Sequence, residues 1–535
     1  MIAGDSMSHG QEGDFTWRYR LWQWLRQEQV NFEFVGPCSG TKKRDKSQPP
    51  SPPPFADEPP PKEAPDPCAF DGGGYADGVQ FGSCHLSRWG KQAAQCVDEV
   101  NQQIARFEPD YLLVFLGFND LGWGVSGPET LIDVMKRLVH NARDAKPSLK
   151  LAIANIPQRT PIDGTEHLAE MVDTYNKQIP ASISAWDSKE SSARLVKVRE
   201  AYDCFAGSYD GIHPNALGEF QIAKAFSQVL VSEFGIGAKE LSVPPQIPKR
   251  PTPVPKYVAA KAVSYGIAVT WDHVYGAIGY DVRSRNSDDS EWDYWRKTSN
   301  RHDTMNVQDG VKYEYQIRTY NGESSGEEVT SEWSPVAAAV ASPKAAPGPT
   351  DIIVTPGVSE LVLEWQQPYG QWIMDRYEVQ VFDASAFLTF PLVRGVRGNR
   401  DTISNDELIS GHRYAVLIRA WTQEGPGSFA TGRNFIAGHG RPIEPMNLQA
   451  ETTDSVTAKL TWKPSQYASS YRVWVRKYGE EFEFDVDGET EDTEYGVTFL
   501  IPGAWNFEFS VSAFNGNLES PKSGSVVPPR REVEL

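Results

Sequence analysis

Residues 111–116 read YLLVFL and residues 149–154 read LKLAIA. Both are short apolar runs, and the segments around them carry apolar residues at helical spacing. A third run, LVKV, follows at residues 195–198. Short apolar strands that alternate with helices build a parallel sheet with helices packed on both faces. The sequence therefore predicts an α/β parallel-sheet domain over residues 1–240.

The start of this domain predicts further elements. Tyr19, Trp22 and Leu25 recur at helical spacing, and the strand-like segment 32–35 follows them. Only residues 1–3 precede the Gly4-Asp5-Ser6 turn, fewer than the about five residues of a normal central strand. We expect on this ground that the true start lies upstream of Met1, together with any signal peptide.

Beyond residue 240 the helical pattern ends. A proline-rich segment over residues 241–256 is typical of a stiff linker. Three segments of similar length follow, at 257–343, 344–440 and 441–535, and each has an early Trp, a Tyr soon after it and a late alternating aromatic strand. The Trp residues are Trp271, Trp365 and Trp462, the Tyr residues are Tyr280, Tyr377 and Tyr471, and the late strands begin at Tyr313, Tyr414 and Phe507. Each segment predicts one β-sandwich.

These three segments resemble fibronectin type III domains, with Tyr313, Tyr414 and Phe507 at the tyrosine-corner position. The resemblance implies three all-β immunoglobulin-like sandwiches. Such domains serve as spacers, adhesion surfaces or binding platforms, and fold alone does not select among these roles. We expect a spacer or a weak contact with polysaccharide or matrix.

The composition excludes several classes of function. The formal net charge is −19 and the pI is near 5.0, and such a charge repels nucleic-acid phosphates and anionic membrane surfaces. No run of eighteen apolar residues occurs in the sequence, so no segment is predicted to span a bilayer. We therefore expect no nucleic-acid partner and no membrane partner.

All five cysteines lie in the first 204 residues: Cys38, Cys68, Cys84, Cys96 and Cys204. Their clustering suggests a local disulfide, with at least one thiol left unpaired. Cys38 and Cys68 flank a proline-rich insertion and could close it as a loop. That insertion is either a flap over a cleft or a solvated loop without a chemical role, and the second interpretation is favoured. Cys96 lies in an amphipathic helical pattern, which favours a buried free thiol.

Four short blocks in the first domain carry the chemistry. Ser6, in a predicted strand-to-helix turn, is a nucleophile candidate. Gly90 can bring a backbone N–H close because it has no Cβ, and Asn119 offers a side-chain amide. His213 can accept the serine proton, and Asp210 can hold the other ring nitrogen. The N–H of Ser6 with Gly90 and Asn119 would form an oxyanion hole.

The order and approximate spacing of these blocks resemble those of the GDSL/SGNH hydrolases, over the whole first domain. Within that superfamily the flanks, Trp17-Arg18-Tyr19, residues 34–37, His85 and Asp210 to Asn215, look most like carbohydrate esterase family three, whose members deacetylate xylan. The resemblance implies an α/β flavodoxin-like hydrolase domain. It further implies a secreted serine esterase for short acyl groups, acetyl above all, on a polysaccharide such as acetylated xylan.

Two alternatives remain open at this point. The enzyme could be a lipase or thioesterase for longer acyl chains, although the sequence has no exposed apolar lid segment. The chain could instead be a binding or adhesion protein that acts through the β-sandwich tail. Gly322-Glu323-Ser324-Ser325-Gly326 matches a second nucleophile pattern, but it follows a predicted sandwich strand and is interpreted as a hairpin loop.

We expect no cofactor and no metal site. Cys84-His85 lacks a second ligand pair at zinc-binding spacing. His9 lies near Ser6 and could line the cleft, but a solvated position after the turn is favoured. Asp120 is expected to fix the Asn119 loop through backbone hydrogen bonds.

Overall fold

The structure is a computed structural model that describes residues 1–58, 68, 71–162, 165–247, 250–324, 327–386, 391–454, 456–498 and 507–529. The first domain contains seven strands and eight helices among these residues. In chain order they are β1 (Ile2–Gly4), α1 (Ser6–His9), α2 (Trp17–Gln27), β2 (Thr41–Lys42), β3 (Asp71–Gly73), β4 (Leu86–Ser87), α3 (Ala93–Phe107), β5 (Tyr111–Phe115), α4 (Phe118–Gly122), α5 (Pro128–Ala145), β6 (Lys150–Ala154), α6 (Glu166–Trp186), β7 (Ala193–Val196), α7 (Val198–Ala201) and α8 (Ala216–Phe234).

Five of these strands form one parallel sheet in the order β4-β1-β5-β6-β7. Numbered along the chain, this is the order 2-1-3-4-5 of flavodoxin-like folds, so the predicted fold class is confirmed. One core packs α3, α5 and α6 on one face of the sheet, and a second packs α2 and α8 on the other. The order of strands reverses between β1 and β5, which is where such sheets bind ligands.

The predicted strand at residues 32–35 is wrong. These residues are not in a strand, and β4 occupies the sheet edge beside β1. The Phe32 ring contacts the rings of Trp22 and Phe34, so the apolar side chains of this segment are partly buried by packing that includes Trp22 of α2. An alternating apolar pattern reports burial on one side, and it does not by itself require a strand partner.

The tail contains only strands and one 3-10 helix among its described residues. They are β8 (Ala259–Val263), β9 (Gly266–Thr270), β10 (Gly279–Asn286), β11 (Asp293–Lys297), β12 (Arg301–Thr304), β13 (Lys312–Ser324), β14 (Glu327–Thr330), β15 (Ala337–Val340), β16 (Thr350–Pro356), β17 (Glu360–Gln366), β18 (Met374–Asp383), β19 (Leu392–Val396), β20 (Arg400–Ser404), the 3-10 helix Asn405–Glu407, β21 (Arg413–Thr422), β22 (Gly425–Pro426), β23 (Ala430–Thr431), β24 (Phe435–Ile436), β25 (Met446–Thr452), β26 (Ala458–Lys463), β27 (Ser470–Lys477), β28 (Asp485–Thr490), β29 (Glu494–Val497), β30 (Phe507–Asn515) and β31 (Leu518–Glu519).

These strands form three antiparallel sandwiches, each with a three-stranded sheet facing a larger one. The sandwiches comprise β8–β15, β16–β24 and β25–β31, and each has its own apolar core. The early Trp is buried in every core and meets the following Tyr edge to face, at 5.2 to 5.3 Å between ring centroids. The three immunoglobulin-like, fibronectin type III-like sandwiches predicted from the sequence are thus confirmed.

Two of the three predicted corner positions carry the expected hydrogen bond. The Tyr313 hydroxyl accepts from the Gln308 N–H at 3.1 Å, and the Tyr414 hydroxyl accepts from the Ile409 N–H at 2.8 Å. Phe507 has no hydroxyl and therefore cannot form this bond. Each of the two bonds fixes a loop to the strand that follows it.

The proline-rich insertion is fixed at both of its described ends. Cys38 and Cys68 form a disulfide, as expected, and Cys96 is a buried free thiol. The Phe55 ring lies between the guanidinium groups of Arg376 and Arg397, 3.8 and 3.7 Å from its centroid. The interpretation as a solvated loop is therefore wrong for this part of the insertion, which binds the second sandwich; residues 59–67 lie outside the described residues.

The structure bears on membrane contact only through its helices. Within the described ranges, no helix is both long enough and apolar enough to cross a bilayer.

Candidate active site

Ser6 is held at the sharp turn between β1 and α1. The Asp5 carboxylate accepts the Met7 N–H at 3.0 Å and caps the short helix that begins at Ser6. A Cβ at Gly4 would overlap the Ser8 side chain, so the turn depends on glycine there. The Ser6 side chain thereby faces the carboxyl edge of the sheet at the point where the strand order reverses.

His213 and Asp210 lie on the loop before α8 and complete a hydrogen-bonded chain to the serine. The His213 Nε2 lies 2.9 Å from the Ser6 Oγ, and its Nδ1 lies 2.7 Å from the Asp210 Oδ2. The other Asp210 oxygen accepts the backbone N–H groups of His213 at 2.8 Å and Ile212 at 3.2 Å. The structure thus brings together all three residues that the sequence marks as nucleophile, base and orienting acid.

The electrostatics keep Asp210 ionised. Desolvation of this carboxyl raises its pKa, but the charge of His213 and the hydrogen bonds from its ring and backbone outweigh that effect, so the pKa lies below its usual value. A carboxylate that accepts the Nδ1 proton leaves the Nε2 lone pair directed at the serine hydroxyl. The arrangement can therefore draw the proton from Ser6.

The predicted oxyanion donors lie on neighbouring segments. Gly90 has a φ of +76°, a backbone conformation that favours glycine, and a Cβ there would stand 3.0 Å from the Trp123 ring. The Asn119 side chain is buried, and its Nδ2 donates one hydrogen bond to the Lys91 carbonyl at 3.0 Å. The second Nδ2 proton remains for an oxyanion. Asn119 therefore also fixes the segment that carries Gly90.

Asp120, beside Asn119, accepts the N–H groups of Ala93 at 2.7 Å and Ala94 at 3.1 Å. It fixes the loop to the start of α3 through backbone hydrogen bonds, as expected from the sequence.

Replacing Asn119 by Ala is expected to lower kcat on a small ester by about 100- to 1,000-fold, with a smaller change in KM. The substitution removes one oxyanion donor, which stabilises the negative charge that develops on the carbonyl oxygen in the transition state more than it stabilises the bound ester. The measurement is steady-state kinetics on p-nitrophenyl acetate. Asn101→Ala is the matched control, since the Asn101 Nδ2 also donates to a carbonyl, that of Asn141 at 3.0 Å, on a helix outside the site. Equal kcat values for both variants would remove Asn119 from the oxyanion hole.

Two aromatic residues at the site were missed by sequence reasoning. The Trp89 ring stacks on the His213 imidazole at 4.6 Å between centroids, and the Tyr209 ring stacks on it at 5.6 Å. Both residues directly adjoin predicted site residues, Gly90 and Asp210, and that adjacency was the available signal. The two rings restrict rotation of the imidazole.

Behind Ser6 lies a buried cluster that the sequence did not predict. His9, expected to be solvated, is fully buried, and its Nε2 lies 2.8 Å from the Asp71 Oδ1. Burial lowers the pKa of His9, and burial together with the charge of Arg18 lowers that of His85 well below the usual value. Burial in this cluster therefore favours the neutral form of both rings.

His9, Asp71 and His85 lie close enough together to suggest a metal site, but their hydrogen bonds do not fit one. The Nδ1 of His9 accepts the Trp89 N–H at 3.1 Å, and the Nδ1 of His85 accepts the Ser87 N–H at 3.0 Å. A neutral imidazole that accepts at Nδ1 carries its proton on Nε2; the His9 Nε2 faces Asp71, and the His85 Nε2 faces the Gly40 carbonyl at 3.3 Å. The cluster is better described as a support for the Trp89 segment.

Asp5 predicts a pH effect on stability. Burial raises its pKa from 3.8 to about 7, although the Met7 N–H and the charge of His213 oppose that rise. The folded protein thus binds the proton more tightly than the unfolded chain. The contribution of protonated Asp5 to the free energy of unfolding is therefore complete below about pH 4 and is lost as the pH rises through about 7.

Asp5→Asn should remove this pH dependence, because its Oδ1 still accepts the Met7 N–H without a charge. At neutral pH the free energy of unfolding of the first domain should then exceed that of the native protein by at most about 4 kcal/mol, and its Tm should be higher. Near pH 4 the two Tm values should lie closer together. Calorimetry across this range measures it. The exposed Asp77→Asn is the control, and a difference independent of pH would contradict the prediction.

Comparisons with known proteins bear on the first domain and the tail separately. Residues 73–219 match the model of the GDSL-like Lipase/Acylhydrolase family, a range that includes Gly90, Asn119, Asp210 and His213 and begins after Ser6. The chain is 25% identical over 285 residues to the tyrosine-protein phosphatase Lar of Drosophila melanogaster, a match that covers 50% of this chain and 13% of that protein.

Three solved structures are similar at low identity. A family 3 carbohydrate esterase from Talaromyces cellulolyticus is 19% identical, with a TM-score of 0.33, over 44% of this chain and 98% of that one. The family 3 carbohydrate esterase of Clostridium thermocellum is 21% identical, with a TM-score of 0.29, over 43% of this chain and 94% of that one. The FN1–FN3 domains of chicken CNTN1 are 17% identical, with a TM-score of 0.19, over 52% of this chain and 99% of those domains.

The family match falls on the flavodoxin-like domain and on four of the five residues that form the candidate site. Residues 73–219 of the first domain are therefore similar to GDSL-like lipases and acylhydrolases, which supports an ester-hydrolysing enzyme.

Proposed function

We propose that the chain is a serine esterase that removes short acyl groups, acetyl above all, from a polysaccharide such as acetylated xylan. The observation that carries the proposal is the hydrogen-bonded chain from Ser6 through His213 to Asp210, with distances of 2.9 and 2.7 Å.

The reaction follows from this geometry. The Ser6 Oγ attacks the acyl carbon while its proton passes to the His213 Nε2, and the carbonyl oxygen becomes an oxyanion held by the Ser6 N–H, the Gly90 N–H and Asn119. His213 then protonates the leaving alcohol, and an acyl-serine remains. A water molecule attacks this ester and gives its proton to His213, which passes it to the Ser6 Oγ as the bond to the acyl carbon breaks and the acid leaves. No cofactor takes part.

Several features of the described residues support a short acyl group and a sugar substrate. Trp123, beside Gly90, is 59% exposed, and Phe205, beyond Asp210, is 65% exposed. They are single exposed rings, and the described residues of the first domain expose no long apolar segment that could enclose a fatty chain. Exposed aromatic rings next to hydrogen-bonding groups are the surfaces that sugar rings contact.

An extracellular location belongs to the same proposal. Polysaccharides of this kind lie outside cells, and the Cys38–Cys68 disulfide supports an oxidising compartment.

Hydrolysis of p-nitrophenyl acetate, butyrate and octanoate by the purified full chain tests acyl length, and acetate release from acetylated xylan tests the sugar. We expect kcat/KM to fall from acetate to octanoate and acetate to be released from the polymer. Preference for octanoate would replace the proposal with a lipase or thioesterase. Absence of turnover on every substrate would favour a binding protein that acts through its sandwiches.

A further inference from the structure

The hydrolase domain and the first sandwich enclose a cleft beside the candidate triad. Its volume is about 810 Å³. The wall on the hydrolase side includes Trp89, Phe205 and Asp210, and the wall on the sandwich side includes Arg296, Thr298 and Tyr320. A pocket of this size is typical of a small-molecule or oligosaccharide site. The sandwich therefore forms one wall of a cavity whose lining includes Asp210 of the triad.

The first sandwich is fixed against the hydrolase domain by polar contacts. Arg250, which precedes the sandwich, pairs with the buried Asp14, and His273 pairs with Glu12, each at 2.5 Å. The Tyr275 hydroxyl donates to the Tyr75 carbonyl, also at 2.5 Å. A spacer that only separates two domains needs no such interface, so these contacts argue for a defined position of the cleft wall.

The sandwich also packs against the loop that carries the triad. Gly322, at the end of β13, has a φ of +81°, and a Cβ there would overlap the backbone of Tyr209. Tyr209 stacks on the His213 imidazole. The close approach that glycine permits thus brings a sandwich strand to the residue that supports the catalytic ring.

The direction of the reaction identifies which part of a substrate would enter the cleft. His213 protonates the leaving alcohol, so that alcohol lies on the imidazole side of Ser6. Trp89 and Asp210 contact the imidazole and both line the cleft. The alcohol portion of the ester therefore lies next to the imidazole, whose neighbours Trp89 and Asp210 form part of the cleft wall.

The cleft walls suit a neutral sugar chain. The Arg296 guanidinium lies 3.4 Å above the Tyr320 ring centroid, and its charge is balanced by Asp281 at 2.9 Å and Glu328 at 2.7 Å. Thr298 and Phe205 are exposed. The exposed Phe205 ring can stack on the apolar face of a sugar, and the Thr298 hydroxyl and the Arg296 and Lys297 cations of the opposite wall can donate hydrogen bonds to sugar hydroxyls.

We propose that the first sandwich contributes a carbohydrate subsite, in which the cleft binds the sugar units attached to the ester-bearing unit. This inference rests on the proposed esterase function and assigns a substrate-binding role to a domain expected from the sequence to be a spacer.

The test compares a small and a large substrate on the full chain. Thr298→Trp fills the cleft from the sandwich side, and Phe205→Ala removes a ring from the opposite wall. The matched control is Thr270→Trp, the same change at an exposed position of the same sandwich outside the cleft lining. The substrates are p-nitrophenyl acetate, whose leaving group is short, and acetylated xylo-oligosaccharides.

We expect Thr298→Trp to lower kcat/KM on the oligosaccharides by about tenfold or more and to change kcat/KM on p-nitrophenyl acetate by less than about threefold. Phe205→Ala should also lower kcat/KM on the oligosaccharides more than on p-nitrophenyl acetate, but by a smaller factor. Thr270→Trp should change neither kcat/KM value. Unchanged oligosaccharide kinetics in both cleft variants would overturn the subsite while the esterase stands. An equal loss on both substrates would also overturn it, since the sandwich would then act through Tyr209 and His213. If the native chain hydrolyses neither substrate, the proposed function itself is overturned.

Discussion

Ser6→Ala is expected to lower kcat on p-nitrophenyl acetate by about 10⁴- to 10⁶-fold, to the residual rate that the oxyanion donors supply. The alanine removes the only atom that forms the acyl intermediate, while Asp5 still caps α1 through the Met7 N–H. The fold should therefore remain. Steady-state kinetics, with circular dichroism of the same samples, measures both points.

The control for this substitution is Ser242→Ala, at an exposed serine of the linker. A second comparison uses His213→Ala and the double variant. Because serine and histidine act as one unit, the double variant should lose about as much activity as either single variant, not the product of the two losses. Additive losses would show that the Ser6 Oγ and the His213 Nε2 do not share a proton in the reaction.

Ser6→Ala also distinguishes the esterase from a contaminating activity. A variant that hydrolyses the ester at the native rate would exclude Ser6 as the nucleophile. The second nucleophile pattern, which begins at Gly322, would then be a poor alternative for the nucleophile. It lies at the end of strand β13, and no helix follows it in the described residues of the sandwich. The hydrolysis would have to come from outside the proposed site.

The strands that carry the fold could be predicted because each is a short apolar run. The observed bounds of β5 and β6, Tyr111–Phe115 and Lys150–Ala154, lie within the runs at 111–116 and 149–154. A parallel strand buried on both faces leaves this pattern directly in the sequence. The order of strands in the sheet then places Ser6 and Asn119 on adjacent carboxyl ends, which is why the site residues could be predicted together.

The supports of the site could not be predicted in this way. His9, Asp71 and Arg18 meet through a buried cluster whose members come from separate segments, and no periodic pattern connects them. The contact between Gly322 and Tyr209 joins two domains, and single-sequence patterns carry no information on such docking. His9 was expected in solvent because a polar residue after a turn is usually exposed, and its burial depends on these distant partners.

Asp210→Asn is expected to lower kcat by about 10⁴-fold with little change in KM. Asp210 performs two tasks with separate oxygens. Its Oδ1 accepts the backbone N–H groups of Ile212 and His213, and its Oδ2 holds the His213 ring. An asparagine whose carbonyl oxygen replaces Oδ1 keeps the turn and presents an N–H₂ group to the His213 Nδ1.

The ring must then accept at Nδ1 and carry its proton on Nε2, so the base that faces Ser6 is lost although the loop stays in place. Asp203→Asn is the matched control, because Asp203 Oδ1 likewise accepts two backbone N–H groups, those of Phe205 at 2.9 Å and Ala206 at 3.3 Å, without an imidazole partner. That variant should keep its full kcat. If Asp210→Asn lowers kcat by less than about tenfold, the stacked rings of Trp89 and Tyr209 orient the imidazole without the carboxylate. A large loss of kcat with an unchanged KM would show that the activity depends on the tautomer of His213 and not on the position of the loop.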